Sequence, residues 1–359
     1  MEMSNVATLS RPESESKNQT TWLIDGMLPI GHKGMIACPV GSCKTTLLSW
    51  IAVCVALGKP VFGMMPQQGA VLMIDEETPT QTLEKKLYRF CLEFGLEGRH
   101  KIPNLVVKSM RGFRFARQNT KVIEVIKSLK PVLVTIDSII ACLPGGRQGC
   151  GENNAETGIA IRDDLNDILA ASPDTAILIT AHSVKPVMYY DIEDYREAPM
   201  QALVSGHTSI VGQACDTGYG VMKISEPPEP LRFAIVPKAR RDAIPMGEIF
   251  VEMKEKTYGE GWAKLERIAP VPVPPSRAAV DLYSVFQSKD GEELTAQTIR
   301  NKASALYTLE DIRLGLDQLR RRRVIVTTQD HFTFKLNPKP GQEADTQYID
   351  QLKSRQGTP

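Results

Sequence analysis

Met35-Ile36-Ala37-Cys38-Pro39-Val40-Gly41-Ser42-Cys43-Lys44-Thr45-Thr46-Leu47-Leu48 is the stretch on which the reading of this chain turns. It predicts a buried strand, a tight loop and the start of an apolar helix. A lysine and two threonines stand where loop and helix meet. Backbone N–H groups in such a loop, together with the helix N-terminus, converge on an anion. A lysine there reaches the outer phosphates of a nucleotide, and the hydroxyl after it binds Mg²⁺. Cys38, Pro39, Val40, Gly41, Ser42, Cys43, Lys44, Thr45 and Thr46 are therefore the candidate phosphate-binding residues. The usual spacing, G-x-x-x-x-G-K-[ST], puts glycines where this chain has Cys38 and Cys43, so the flanking sequence has to carry the reading.

The flanks support it. Thr46 to Leu57 is an apolar run of helical length, closed by Gly58 as a C-cap and followed by Pro60. Val71-Leu72-Met73-Ile74 reads as a short buried strand ending in Asp75-Glu76-Glu77. Residues 131–136 form another, ending in Asp137-Ser138, and residues 176–180 a further one, ending in Ala181-His182-Ser183-Val184-Lys185. Apolar strands that each deliver polar groups at the C-terminal end describe a parallel α/β sheet with its ligand site along that edge.

Composition excludes little. The chain has 359 residues, enough for one large domain and a small one, and its 42% hydrophobic and 24% charged residues are ordinary for a globular protein. A net charge of +1 offers no global attraction to nucleic acid, so any such surface has to be local. The seven cysteines are scattered, without a C-x-x-C pair, which points to a reducing compartment and away from zinc. With no signal pattern and no apolar run of spanning length, the expectation is a cytoplasmic protein with no membrane segment.

In chain order, residues 1–20 are Ser/Glu/Asn/Thr-rich and expected to be flexible. A large domain follows over 21–268. Within it, Thr78-Pro79-Thr80 opens a helix burying Leu83, Leu87 and Phe90. Residues 104–108 read as a strand, and 122–129 as an amphipathic helix. A polar glycine-rich loop spans 144–158, and a helix runs from about 159 to 171. A second polar segment occupies 185–205, and strands fall near 218–224, 231–237 and 247–253. Residues 269–275, with alternate prolines, form a stiff linker. Beyond it, 278–287, 296–306 and 309–322 read as short helices, and 324–328 with 332–336 as a hairpin. Three helices and a hairpin describe a winged helix over 276–337, and 338–359 reads as a flexible tail.

Residues 21–253 resemble the RecA/DnaB superfamily of oligomeric ATPases, closest to the RepA-type replicative helicases of plasmids and phages. The resemblance rests on Cys38–Thr45, on Asp75-Glu76-Glu77-Thr78-Pro79, on Asp137-Ser138, on His182-x-x-Lys185, on Gly206-x-x-Ser209 and on Lys238-Ala239-Arg240. The fold it implies is α/β: a RecA-like P-loop core with a mainly parallel central sheet, plus the small winged-helix domain. It implies ATP and Mg²⁺ as ligands, with Thr45 and Asp137 at the metal. It also implies Glu77 as the water-activating carboxylate and His182 as the sensor coupling nucleotide to a DNA-facing loop. Lys238 and Arg240 would act as a finger in the neighbouring subunit's site. The expected protein is a homo-oligomer, a hexamer foremost, that acts on single-stranded DNA as a replicative helicase and engages a replication partner. The rival expectation is an ATP-dependent scaffold or helicase loader with slow turnover.

Plainer readings stand beside these. Lys44 could be an ordinary helix-start lysine, although a cation there opposes the helix dipole. Asp137 could cap a turn, and His182 could be a satisfied core histidine. Asp75 and Glu76 read as structural or solvent-facing. Lys238 and Arg240 could form a solvated basic edge. Residues 276–337 carry ten Lys/Arg against eight Asp/Glu, a net of +2, so the arginines at 320–323 suit either phosphate contact or a protein-docking module.

Overall fold

The structure is a computed structural model that describes residues 20–38, 44–96, 102–109, 115–138, 155–182, 214–225, 229–239, 246–257, 260–270, 277–289, 292–303, 307, 309–322, 324–327, 333–337 and 343–356. A short antiparallel pair, β1 (Trp22–Ile24) and β2 (Leu28–Pro29), leads into β3 (Lys33–Cys38). Then follow α1 (Lys44–Leu57), β4 (Val71–Asp75), α2 (Thr80–Glu93), β5 (Leu105–Ser109), α3 (Phe115–Leu129) and β6 (Leu133–Asp137). After these come α4 (Ala155–Ala171), β7 (Ala176–His182), β8 (Thr217–Lys223), β9 (Arg232–Ala239), β10 (Ile249–Thr257) and β11 (Glu260–Ile268). The last nine of the eleven strands form one sheet in the order β11-β10-β9-β8-β3-β7-β6-β4-β5. Strands from β8 to β5 in that order are parallel, and β9, β10 and β11 are antiparallel to their neighbours.

Strands β3, β4 and β6 are buried along their whole length, on both faces, which is why they read as mainly apolar runs rather than alternating ones. One face carries α1 and α2. Helix α1 is buried around almost its whole circumference, as an apolar helix without a polar stripe must be. Its Trp50 packs edge-on against Phe90 of α2 and stacked on Phe94, at 5.2 and 5.5 Å. The other face carries α3 and α4 through Val122, Ile126, Ile161, Leu165 and Ile168. Helix α1 ends as expected: Gly58 has φ +64°, its N–H donates to Val55 O and the Lys59 N–H to Cys54 O. This is a Schellman closure, in which only glycine takes the left-handed position without strain.

Several boundaries differ from the sequence expectation. Helix α3 begins at Phe115, not 122, and α4 at Ala155, which takes the last residues of the expected 144–158 loop into a helix. Strand β11 was not expected, because its alternation is short and breaks at Arg267. It forms because Ala263 and Leu265 bury one face while its backbone pairs with β10.

The C-terminal part contains α5 (Arg277–Gln287), β12 (Leu294–Thr295), α6 (Ala296–Ala303), α7 (Leu309–Arg321), β13 (Ile325–Thr327) and β14 (Thr333–Leu336). The strands pair antiparallel in the order β12-β14-β13, which adds a short third strand to the expected hairpin. The expected flexible tail at 338–359 is corrected: Glu343–Arg355 forms helix α8. Tyr348 and Leu352, four residues apart on one helical face, are buried in one apolar cluster with Leu282, Phe286 and Leu319. Arg322 lies over the Tyr348 ring at 5.4 Å, and Gln356 donates to Gln287 Oε1 at 2.6 Å. The tail reads as polar because two large side chains supply most of its burial. The expected flexible segment at 1–20 lies, apart from Thr20, outside the described residues, as does most of the 269–275 linker.

Candidate active site

Parallel strands bring their C-terminal ends to one edge, and the register here sets polar residues side by side. Asp75 of β4 pairs with Asp137 of β6, and Cys38 of β3 pairs with His182 of β7. Ile136 pairs with Ile179, so the next residues, Asp137 and Thr180, are also neighbours. Helix α1 begins at Lys44 over this edge, with Lys44 and Thr46 each only 7% exposed.

Asp137 is the centre of the arrangement. It is fully buried, and a carboxylate there needs donors to offset its desolvation. Thr45 Oγ1 donates to its Oδ2 and Thr180 Oγ1 to its Oδ1, each at 2.5 Å. The Glu76 N–H donates to the Asp137 carbonyl at 2.9 Å, which ties the segment after β4 to the end of β6. The peptide bond to Ser138 is cis, and Ser138 Oγ donates to Glu77 Oε1 at 2.6 Å. Glu77 is exposed and Glu76 half-buried.

Asp75 is fully buried, so of its two expected environments the solvent-facing one is excluded. Its Oδ1 accepts the Thr78 N–H at 2.7 Å, while Oδ2 has no hydrogen-bond partner among the described residues. Burial pushes its pKa up to about 6; the Asp137 charge adds to this, and the Thr78 N–H opposes it.

The donor set fits Mg²⁺. A threonine hydroxyl and a carboxylate oxygen, 2.5 Å apart at a helix start, are the hard oxygen ligands that this ion takes. Lys44 stands at the same helix start.

Of the residues singled out from sequence, the structure brings together Lys44, Thr45, Thr46, Asp137 and, through Ser138, Glu77. Cys38 ends β3 and is fully buried, whereas Pro39, Val40, Gly41, Ser42 and Cys43 lie outside the described residues. His182 is placed by its backbone beside Cys38. Lys238 is not brought to this edge. It pairs with Gly218, and Gly218 with Met35, three residues before Cys38, while β9 runs on away from the site. Arg240, Lys185, Gly206 and Ser209 lie outside the described residues. Two polar residues gained a place that sequence reasoning had not assigned: Thr180, which reads as an ordinary β-former inside an apolar strand, and the hydroxyl of Ser138. The available signal was positional, since each is adjacent to Asp137 in register or in sequence.

A parallel sheet, a helix opening on Lys44-Thr45 and a neighbouring strand ending in the carboxylate that accepts from Thr45 define a P-loop ATPase. Residues 5–188 match the family described as AAA domain, and the chain belongs to that family. No curated protein matches the sequence. Among solved structures, the KaiC-like protein PH0186 from the hyperthermophilic archaeon Pyrococcus horikoshii OT3 is similar, with a TM-score of 0.42 and 13% identity, over 69% of this chain and 94% of that one. Among the described residues no helix is long and apolar enough to cross a membrane.

Proposed function

We propose that the chain hydrolyses ATP at the edge formed by Lys44, Thr45, Glu77 and Asp137, working as an oligomeric DNA motor of the RepA-type replicative helicase kind. The observation that carries the hydrolytic reading is the Thr45–Asp137 hydrogen bond, because it joins the first turn of the phosphate-facing helix to the end of β6. Lys44 meets the charge of the outer phosphates, and the N–H groups at the start of α1 add to it. Thr45 and Asp137 would hold Mg²⁺, which when bound neutralises charge on the phosphates. Glu77 orients the attacking water and takes its proton as the γ-phosphoryl departs. Ser138, donating to Glu77, steers that carboxylate.

Lys238 and Arg240 act in the site of a neighbouring copy, where the planar guanidinium stabilises charge on the transferring phosphoryl. The run of β9 supports this for Lys238, since the strand carries that residue away from the site edge of its own chain. The assembly is a homo-oligomer, with a hexamer as the resemblance suggests, and His182 couples nucleotide state to single-stranded DNA. Residues 276–337 serve as a winged-helix unit for DNA or a replication partner, and helix α8 packs with it.

The test is ATPase activity with and without single-stranded DNA, alongside mass measurement in ATP. DNA-stimulated turnover by an ATP-dependent oligomer supports the motor. Assembly in ATP with little turnover favours the scaffold or loader, and a chain that binds no nucleotide overturns both.

A further inference from the structure

We propose that Thr180 is a positioning residue that aims the metal-binding carboxylate, an inference that rests on the nucleotide-site reading above. Asp75, Asp137, Thr180 and Ile36 stand at one level on the adjacent strands β4, β6, β7 and β3. Side chains at one level of a parallel sheet share a face. Asp137 thus has another carboxyl group on one side, that of the fully buried Asp75, and a hydroxyl on the other.

This placement has a directional consequence. A carboxylate can rotate about its last side-chain bond, exchanging its two oxygens and tilting their plane. The Thr180 hydroxyl, itself fully buried, donates to Oδ1 at 2.5 Å and removes that freedom. Oδ2 is then left facing Thr45, at 2.5 Å, on the side where α1 begins. A hydrogen bond from a hydroxyl to an ionised carboxylate is among the stronger neutral-to-charged contacts, so the orientation is well held. Thr180 also draws the carboxylate toward β7, away from the like group on β4. The residue touches neither nucleotide nor metal in this scheme and acts through Asp137.

The three hydroxyl positions are distinguishable. Thr45 would bind the metal directly and Ser138 serves Glu77, whereas Thr180 determines how well Asp137 presents Oδ2 on the side of Thr45. Its loss should therefore change the Mg²⁺-dependent part of nucleotide binding and leave the Mg²⁺-independent part alone. Groups that orient a metal ligand from behind typically contribute ten- to a hundred-fold to metal affinity.

The experiment measures equilibrium binding of a fluorescent N-methylanthraniloyl-ADP to the full chain, titrated with MgCl₂ and repeated in EDTA. Thr180→Val keeps the shape and β-branching while removing the donor, and Thr180→Ser restores it. The expected result is a Mg²⁺ midpoint raised about ten-fold in Thr180→Val, near wild type in Thr180→Ser, with equal affinity for all in EDTA. A wild-type Mg²⁺ midpoint in a folded Thr180→Val overturns the inference, as does an equal loss with and without Mg²⁺, which would mean a structural role. Should Thr180→Val fail to fold, Thr180→Ala and Thr180→Ser decide it: the inference fails if the two share one midpoint. Nucleotide binding by wild type that ignores Mg²⁺ altogether would overturn the proposed metal site itself, a separate failure read in the same titration.

Discussion

Ser138 Oγ donates to Glu77 Oε1 at 2.6 Å, so the residue following the buried Asp137 holds the exposed carboxylate that ends the acidic run after β4. The two strands β4 and β6 are already paired through Asp75 and Asp137, and this bond extends their connection past the sheet. Glu77→Gln is expected to keep nucleotide affinity and lose at least about a hundred-fold in turnover, the usual scale for a catalytic base. Ser138→Ala should lower turnover by a smaller factor without changing affinity. Single-turnover hydrolysis alongside equilibrium binding checks both, and wild-type turnover in Glu77→Gln would pass the role to Glu76.

Lys44→Ala should abolish nucleotide binding, because in the proposed site this lysine, at the start of α1, would meet the charge of the outer phosphates. Circular dichroism that matches wild type, with no binding detectable by calorimetry, is the expected pair of results. Retained affinity would reduce Lys44 to a helix-start residue.

Arg240→Ala subunits should regain activity when mixed with Lys44→Ala subunits, since under the proposed in-trans role each would supply what the other lacks across an interface. The course of β9 away from the site edge motivates this, as it separates the strand from its own chain's Lys44. Mixed oligomers that form without recovering ATPase activity would show that the arginine does not act between subunits.

Asp75 links stability to pH. Its folded pKa is raised to about 6 from an ordinary 3.8, so between those values the native state holds more protons than the unfolded one. Stability conferred by the protonated form is complete at low pH and declines as pH rises through about 4 to 6. Asp75→Asn, which keeps an acceptor for the Thr78 N–H, should be more stable than wild type at pH 8 by an amount bounded at about 3 kcal/mol. The difference should vanish below pH 4. Urea unfolding in EDTA without nucleotide, at several pH values, measures it, and a pH-independent difference would contradict the assignment.

Leu352→Ala should destabilise the C-terminal unit by about 2–5 kcal/mol, the cost of emptying a buried leucine site. Deleting 276–359 as a whole should leave nucleotide binding largely intact while weakening DNA or partner binding. Thermal unfolding of the leucine variant and ligand binding by the truncation test the two halves separately. Unchanged melting in Leu352→Ala would mean that α8 adds nothing to that core.

The sequence by itself determined the parallel core of this protein. Buried strands just before the loop at 38–45 and at 71–74, 131–136 and 176–180 announce themselves because a strand covered on both faces must be largely apolar. Their polar ends mark the candidate site edge, because a carboxylate directly after a mainly apolar run stands out against it. Asp137 and Glu77 were legible as candidates on that ground, and Lys44-Thr45 from the junction of loop and helix. Only the tertiary structure decided which of these groups touch. Thr180 looks like any β-branched strand residue until register sets it beside Asp137, and Ser138 like a turn residue until it reaches Glu77. Strand β11 and helix α8 were hidden because pairing with β10, and two side chains sunk into a distant core, supply their stability. Local sequence patterns record burial, which each segment carries in its own composition. They do not record partners, which belong to segments far apart in the chain and are settled only when the sheet assembles.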